Sequence, residues 1–166
     1  MLPNPLMLLA AAFIPFLIGF VWFHPQLFGG NTWDSLAKLS SEDRGPVSKI
    51  KLLTTLLLNF FIAFAVYNVA FHQMGVFAMV GGDLELLKEG SAAAFLAEYG
   101  QMHRSFGHGM LHGVFPATFF FVLPVLGYVT IFEKKSFKYY LVYLGYWAVS
   151  LSLMGGFLCK WGPMPL

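Results

Sequence analysis

SFGHGMLHGVFPATFFFVLPVLGYVTIF, running from Ser105 to Phe132, contains no aspartate, glutamate, lysine or arginine. A helix needs about 20 predominantly apolar residues to cross the hydrocarbon of a bilayer, and this run is longer than that. Three other charge-free runs match it: residues 1–33, Leu52–Gly82 and Tyr139–Cys159. Their apolar character is continuous and lacks the period-2 alternation of a membrane β-barrel. Backbone groups that cannot reach water must pair within their own segment, so helices are the expected solution.

The whole composition agrees. Of 166 residues, 58% are hydrophobic and 11% charged, against about 25% charged in ordinary soluble domains. Mean hydropathy is +0.69. A net charge of +2 with no basic block gives no argument for a nucleic-acid partner. The single cysteine, Cys159, excludes an intrachain disulfide and any all-cysteine metal cage. The N-terminal run lacks a basic leading segment, so we read it as a permanent crossing and not as a cleaved signal.

The expectation is an all-α, four-transmembrane-helix bundle, a polytopic integral membrane protein forming one domain over residues 1–166. Crossings are predicted near 5–24, 50–74, 107–132 and 138–160, with Pro15, Pro116 and Pro124 as kink points. A short surface helix starting at Asn31 or Thr32 would present Trp33, Leu36 and Leu39, and Gly45-Pro46 would break the chain after it. The extended loop 75–106 would hold an amphipathic helix over Ser91–Tyr99, ended by Gly100. The tight Glu133–Ser136 turn makes the last two crossings antiparallel neighbours.

Lysine and arginine asymmetry sets the expected orientation. Lys38, Arg44, Lys49, Lys51, Lys134, Lys135 and Lys138 would share one side, against Lys88, Arg104 and Lys160 on the other. The first side is then cytoplasmic, and both termini and the 75–106 loop face outward. Aromatic belts of Trp22, Phe23, Tyr139, Tyr140, Tyr143, Tyr146 and Trp147 inside, and Tyr99 and Trp161 outside, accord with this.

Three stretches carry a family resemblance. They are Trp22-Phe23-His24-Pro25-Gln26-Leu27-Phe28-Gly29, Phe132-Glu133 with its basic turn, and Gly145 to Gly156 followed by Trp161. They resemble the small bacterial membrane proteins catalogued as domain of unknown function 1761. The resemblance covers the first, third and fourth crossings, with the second loop and its histidines outside the pattern. It implies a four-helix protein of the bacterial cytoplasmic (inner) membrane, and it implies no reaction.

Histidine is the residue type from which chemistry is expected. Lys51 to His72 and Glu133 back to His112 are the same 21-residue separation. At about 1.5 Å per residue, both histidines lie about 30 Å from the inner edge, at the outer boundary of the hydrocarbon. His108 sits one turn further out, and His103 in or near the outer loop, while His24 is alone on the opposite side. The i,i+4 spacing of His108 and His112 offers two imidazoles from one helix face, as helical zinc sites do. His72 or His103 would complete a three-ligand set for zinc, copper, nickel or iron, and a b-type haem held by two histidines is a variant. The competing reading has these rings hydrogen-bonded between helices or wet at the interface. Asn68, four residues before His72, is either interhelical glue or the partner that orients His72; Asn59 is read as glue. Gly109, Gly113 and Ala117 form a small-residue seam, with Gly155 marking close approach on the last helix. Cys159, at the same depth, is read as a small buried hydrophobe, with a fourth-ligand role as the alternative.

No ionisable residue sits at mid-membrane, and no phosphate loop or nucleophile elbow is present, so neither a proton relay nor an enzyme is expected. The main expectation is a non-enzymatic accessory or small-ligand-binding membrane protein using the outer-leaflet pocket between the second, third and fourth crossings. It would work alone, as a homo-oligomer or in a larger complex. The alternative is a histidine-ligated metal or haem protein with His72, His108 and His112 as ligands and His103 in reserve. A small transporter or channel subunit comes third.

Overall fold

The length of the charge-free runs is realised as helix. A computed structural model describes residues 3–24, 26, 31–38, 40 and 47–163. Among them the regular structure is helical, apart from one isolated bridge between Pro3 and Pro163. Four helical stretches are long and apolar enough to cross a membrane: α1 (Pro5–Trp22), α3 (Lys49–Ala70), a composite span (Phe106–Phe132) and α8 (Phe137–Trp161). The composite span consists of α6 (Phe106–His112), a π-helical stretch (Gly113–Val122) and α7 (Leu123–Phe132). Shorter helices are α2 (Asn31–Ala37), α4 (Gln73–Met79) and α5 (Gly90–Tyr99). Leu39 and Gly45-Pro46, which the sequence reading placed around the surface helix, lie outside the described residues.

Local chemistry sets the boundaries. Asn4 caps α1 by accepting from the Leu6 amide at 2.9 Å, with Pro5 in the first turn where no donor is needed. Ser48, Ser105 and Ser136 cap α3, α6 and α8 in the same way. Lys134, at φ 52°, closes α7 with a left-handed residue while the Lys135 amide donates to the Thr130 carbonyl. The second crossing is shorter than expected. It stops at Ala70 because Phe71 turns extended, and α4 then starts afresh with His72 as its cap.

Pro116 falls inside the π-helical stretch. Proline lacks the amide that would continue an α ladder, and a wider register is one way of accommodating that loss. The Thr118 hydroxyl donates to the Gly113 carbonyl at 2.7 Å, within the same stretch.

The core is built on α8, which packs against the composite span, α1 and α3. Tyr67, Phe71, Met154 and Leu158 are fully buried there, with Ala11 and Ala63 filling the narrow gaps. A side-chain carbon at Gly109 would strike the Gly155 carbonyl, and one at Gly113 would strike the Leu151 carbonyl, so two backbones are in direct contact along this seam. Ala117 continues it against the core. Polar groups bind the crossings to one another: Asn59 Nδ2 donates to Ala12 O at 3.1 Å, Tyr146 Oη to Pro15 O at 3.0 Å, and Trp22 Nε1 to Val142 O at 3.1 Å. Large apolar side chains cover the outside, Phe20 at 79% and Phe132 at 76% exposure among them. A surface of that kind belongs to a multi-pass membrane protein.

The start of α1 meets the end of α8, since the Asn4 amide donates to the Gly162 carbonyl at 2.8 Å. The C-terminal end of α3 and the N-terminal end of α6 lie at this same end of the bundle. At the other end Phe23, Trp33, Tyr139 and Tyr143 form a continuous aromatic cluster with centroids 4.6–5.8 Å apart. Replacing Gly113 with leucine is expected to cost about 1–3 kcal/mol or more by overpacking. Denaturation of the purified protein in detergent checks this, with Gly127→Leu, a position with open space at its Cβ, as the near-neutral control.

Candidate metal centre

The break after Ala70 has a direct consequence for His72. Its ring sits at the corner between α3 and α4 and leans across to α6. His108 and His112 project from one face of α6, one turn apart. The three Nε2 atoms form a nearly equilateral triangle: 2.9 Å from His72 to His108, 3.1 Å from His72 to His112, and 3.0 Å from His108 to His112. His72 is exposed and the other two are half-buried.

These distances resemble hydrogen bonds, but three imidazole nitrogens cannot satisfy one another in a triangle. A neutral Nε2 presents either a hydrogen or a lone pair. With only two choices for three atoms, at least one edge always sets lone pair against lone pair or hydrogen against hydrogen. A cation removes the conflict by accepting all three lone pairs. Bonds of about 2.0–2.1 Å from each nitrogen to one ion are compatible with nitrogens this close together, so the three imidazoles would hold an ion and supply it with neutral nitrogen donors.

The reserve residue, His103, behaves differently. His103 stacks on His108, with centroids 4.6 Å apart and planes at 29°, and meets His72 edge-on at 5.8 Å. It borders the three-ligand group without joining it. Its backbone is left-handed, φ 61°, which costs a non-glycine residue energy and is held by its surroundings. Gln73, buried at the start of α4, donates to the Gly100 carbonyl at 2.6 Å and so ties the 100–103 turn to His72's own neighbour. The Cys159 thiol donates to the His103 carbonyl at 3.2 Å from α8. Cys159 therefore anchors the turn as a buried side chain, outside the ligand group. Neither Gln73 nor this anchoring was expected from sequence.

Asn68 departs from both of its expected roles. Its amide donates to the Phe64 carbonyl at 2.7 Å, four residues back in its own helix, instead of orienting His72 or bridging helices. His112 Nδ1, where an orienting acceptor would act, has no hydrogen-bond partner among the described residues. His24 lies at the opposite end of the bundle, its Nδ1 accepting from the Gln26 amide at 3.3 Å.

One cavity borders the histidines, and a second has no histidine in its lining. One is a cleft of about 390 Å³ lined by His72, His103, Val76, Met79, Phe95 and Tyr99, between α4 and α5. The other is a groove of about 360 Å³ among α3, the π-helical stretch and α8.

The family model described as protein of unknown function, DUF1761, matches residues 6–159. The matched range includes α3 and the 75–106 segment, which the sequence resemblance covers weakly or leaves out, and all five histidines lie within it. No curated protein and no solved structure matches the chain. Replacing Gln73 with leucine would leave the Gly100 carbonyl without its donor, at a cost of about 1–3 kcal/mol. Faster amide hydrogen exchange over residues 100–104, with unchanged exchange in α8, is the expected readout.

Proposed function

Since the chain belongs to the DUF1761 family, whose description carries no activity, we propose its function from the site itself: it is a membrane protein that binds one transition-metal ion through His72, His108 and His112. The carrying observation is the triangle of Nε2 atoms at 2.9–3.1 Å, which no tautomer satisfies and one cation does. This geometry supports the metal reading better than an accessory or general ligand-binding role, which the sequence alone favours.

The chemistry of the donors narrows the ion. Three neutral imidazoles suit zinc, copper, nickel and iron. Haem b fits less well. Two axial nitrogens on opposite sides of an iron are about 4 Å apart, twice a bond of about 2 Å, and all three edges of this triangle are shorter. The proposal assigns binding and no turnover.

We place the chain in a bacterial cytoplasmic membrane with the triad at the outer face. The support is the grouping of cations. Lys49, Lys51, Lys134, Lys135 and Lys138 sit at the end away from the histidines, and Lys88, Arg104 and Lys160 at the histidine end. Membrane-impermeant maleimide should label Ser91→Cys in intact cells and Lys135→Cys only after permeabilisation; the reverse pattern inverts the orientation.

Metal binding is tested by stripping the purified protein with chelator, dialysing it against copper, nickel or zinc, and measuring bound metal. One ion per chain is expected. His72→Ala, His108→Ala and His112→Ala should each weaken binding by more than the 10–100-fold that loss of an outer-shell partner costs. His24→Ala should match wild type. Metal-free wild-type protein, or equal binding by all variants, would overturn the assignment.

A further inference from the structure

We infer that the cleft between α4 and α5 admits copper as the monovalent ion, taken first by the thioethers of Met79 and Met102 and passed to the triad at His72. The inference rests on the metal reading and adds the oxidation state of the ion and its way in.

The cleft, of about 390 Å³, shares a ligand with the triad. His72 lines it, and His72 is the exposed member of the three. One wall is a single face of α4, where His72, Val76 and Met79 recur at helical spacing. The other is the end of α5 and the turn after it, with Tyr99, Met102 and His103. Seven residues separate His72 from Met79, about 10 Å along the helix axis, so Met79 stands at the end of the cleft away from the triad. Met102 adjoins His103, whose ring lies against His108. Gln73 Nε2 donates to the Met102 carbonyl at 3.5 Å, which holds this turn to α4.

Sulfur is the argument for the ion. Among the described residues Met79 and Met102 are the two exposed methionines, at 88% and 54%, and both line this cleft. Met7, Met74 and Met110 are half-buried, and Met154 is buried. Contact with lipid gives no reason for both exposed methionines to share one cleft with two imidazoles. Thioether sulfur is a soft donor that selects Cu(I), whereas hard divalent ions take oxygen donors. Among the described residues no carboxylate lines the cleft. A single charge also costs less than a double one to bring to the edge of the hydrocarbon. The three rotatable bonds of methionine let its sulfur follow the ion. Passage to the triad is a ligand exchange: copper–sulfur bonds break as copper–nitrogen bonds form, and the copper stays monovalent.

The test uses the full chain in phosphatidylcholine nanodiscs, stripped of metal, with carbon-13 in the methionine methyl groups. Silver(I), a cuprous surrogate that keeps its oxidation state, should shift the Met79 and Met102 signals, which are identified by their loss in Met79→Leu and Met102→Leu. It should do so equally in a protein carrying His108→Ala and His112→Ala, where zinc(II) should shift neither. Leucine conserves the volume of methionine without its sulfur. The Met79→Leu, Met102→Leu double variant should therefore keep wild-type zinc affinity, while taking Cu(I) from its bicinchoninate complex under argon at least tenfold more slowly. If silver leaves both signals unmoved, or the double variant takes up Cu(I) at the wild-type rate, the entry inference is overturned; the metal reading stands as long as wild type binds zinc through its three histidines. If silver moves the methionine signals but no metal binds at the triad, both fall, since nothing receives the ion.

Discussion

The backbone contact between α6 and α8 is the constraint on which the rest of the structure depends. Gly109 and Gly113 meet Gly155 and Leu151 with no side chain between them. In lipid there is no hydrophobic force to draw helices together, so close van der Waals packing of this kind must supply the association. Once α6 is pressed onto α8, the face about 100° around from the seam carries His108 and His112 against His72 at the C-terminal end of α3, and their height there is fixed. A larger residue at either glycine would move both rings together.

That seam also explains why the turn before α6 can hold His103 in a left-handed conformation. Cys159, on α8 beside Gly109, donates to the His103 carbonyl, and Gln73 grips the same turn from α4. The histidine cluster is thus clamped from two sides by groups that do not themselves ligate. Such support is what a preorganised metal site needs, because three rings held close together have no mutually satisfying arrangement without an ion.

Much of this was legible in the sequence, for definite reasons. Charge-free runs longer than a bilayer is thick are realised as helices long and apolar enough to cross one, with ends within four residues of the predicted ones. Equal counts from Lys51 to His72 and from Glu133 to His112 bring the histidines to one level, because the rise per residue of a helix is fixed. Other features had no such signal. The run Leu52–Gly82 carries no charge and has no glycine or proline near Phe71 before Gly75, so it does not mark the break that swings His72 across to α6. Pro116 suggested a kink, but the π-helical register around it depends on tertiary packing. Asn68 sits four residues from His72, and its choice of the Phe64 carbonyl depends on a rotamer that spacing does not determine. His103 stacks on His108 outside the three-residue group, and spacing gives no sign of its left-handed backbone.

The account stands or falls on whether one ion joins the three rings. X-ray absorption on purified, copper-loaded protein measures this directly. The expected spectrum shows nitrogen scatterers at about 2.0–2.1 Å, with the outer-shell multiple scattering of three imidazoles, reduced to two in His112→Ala. A shell with one imidazole or none, unchanged by that substitution, would contradict the account.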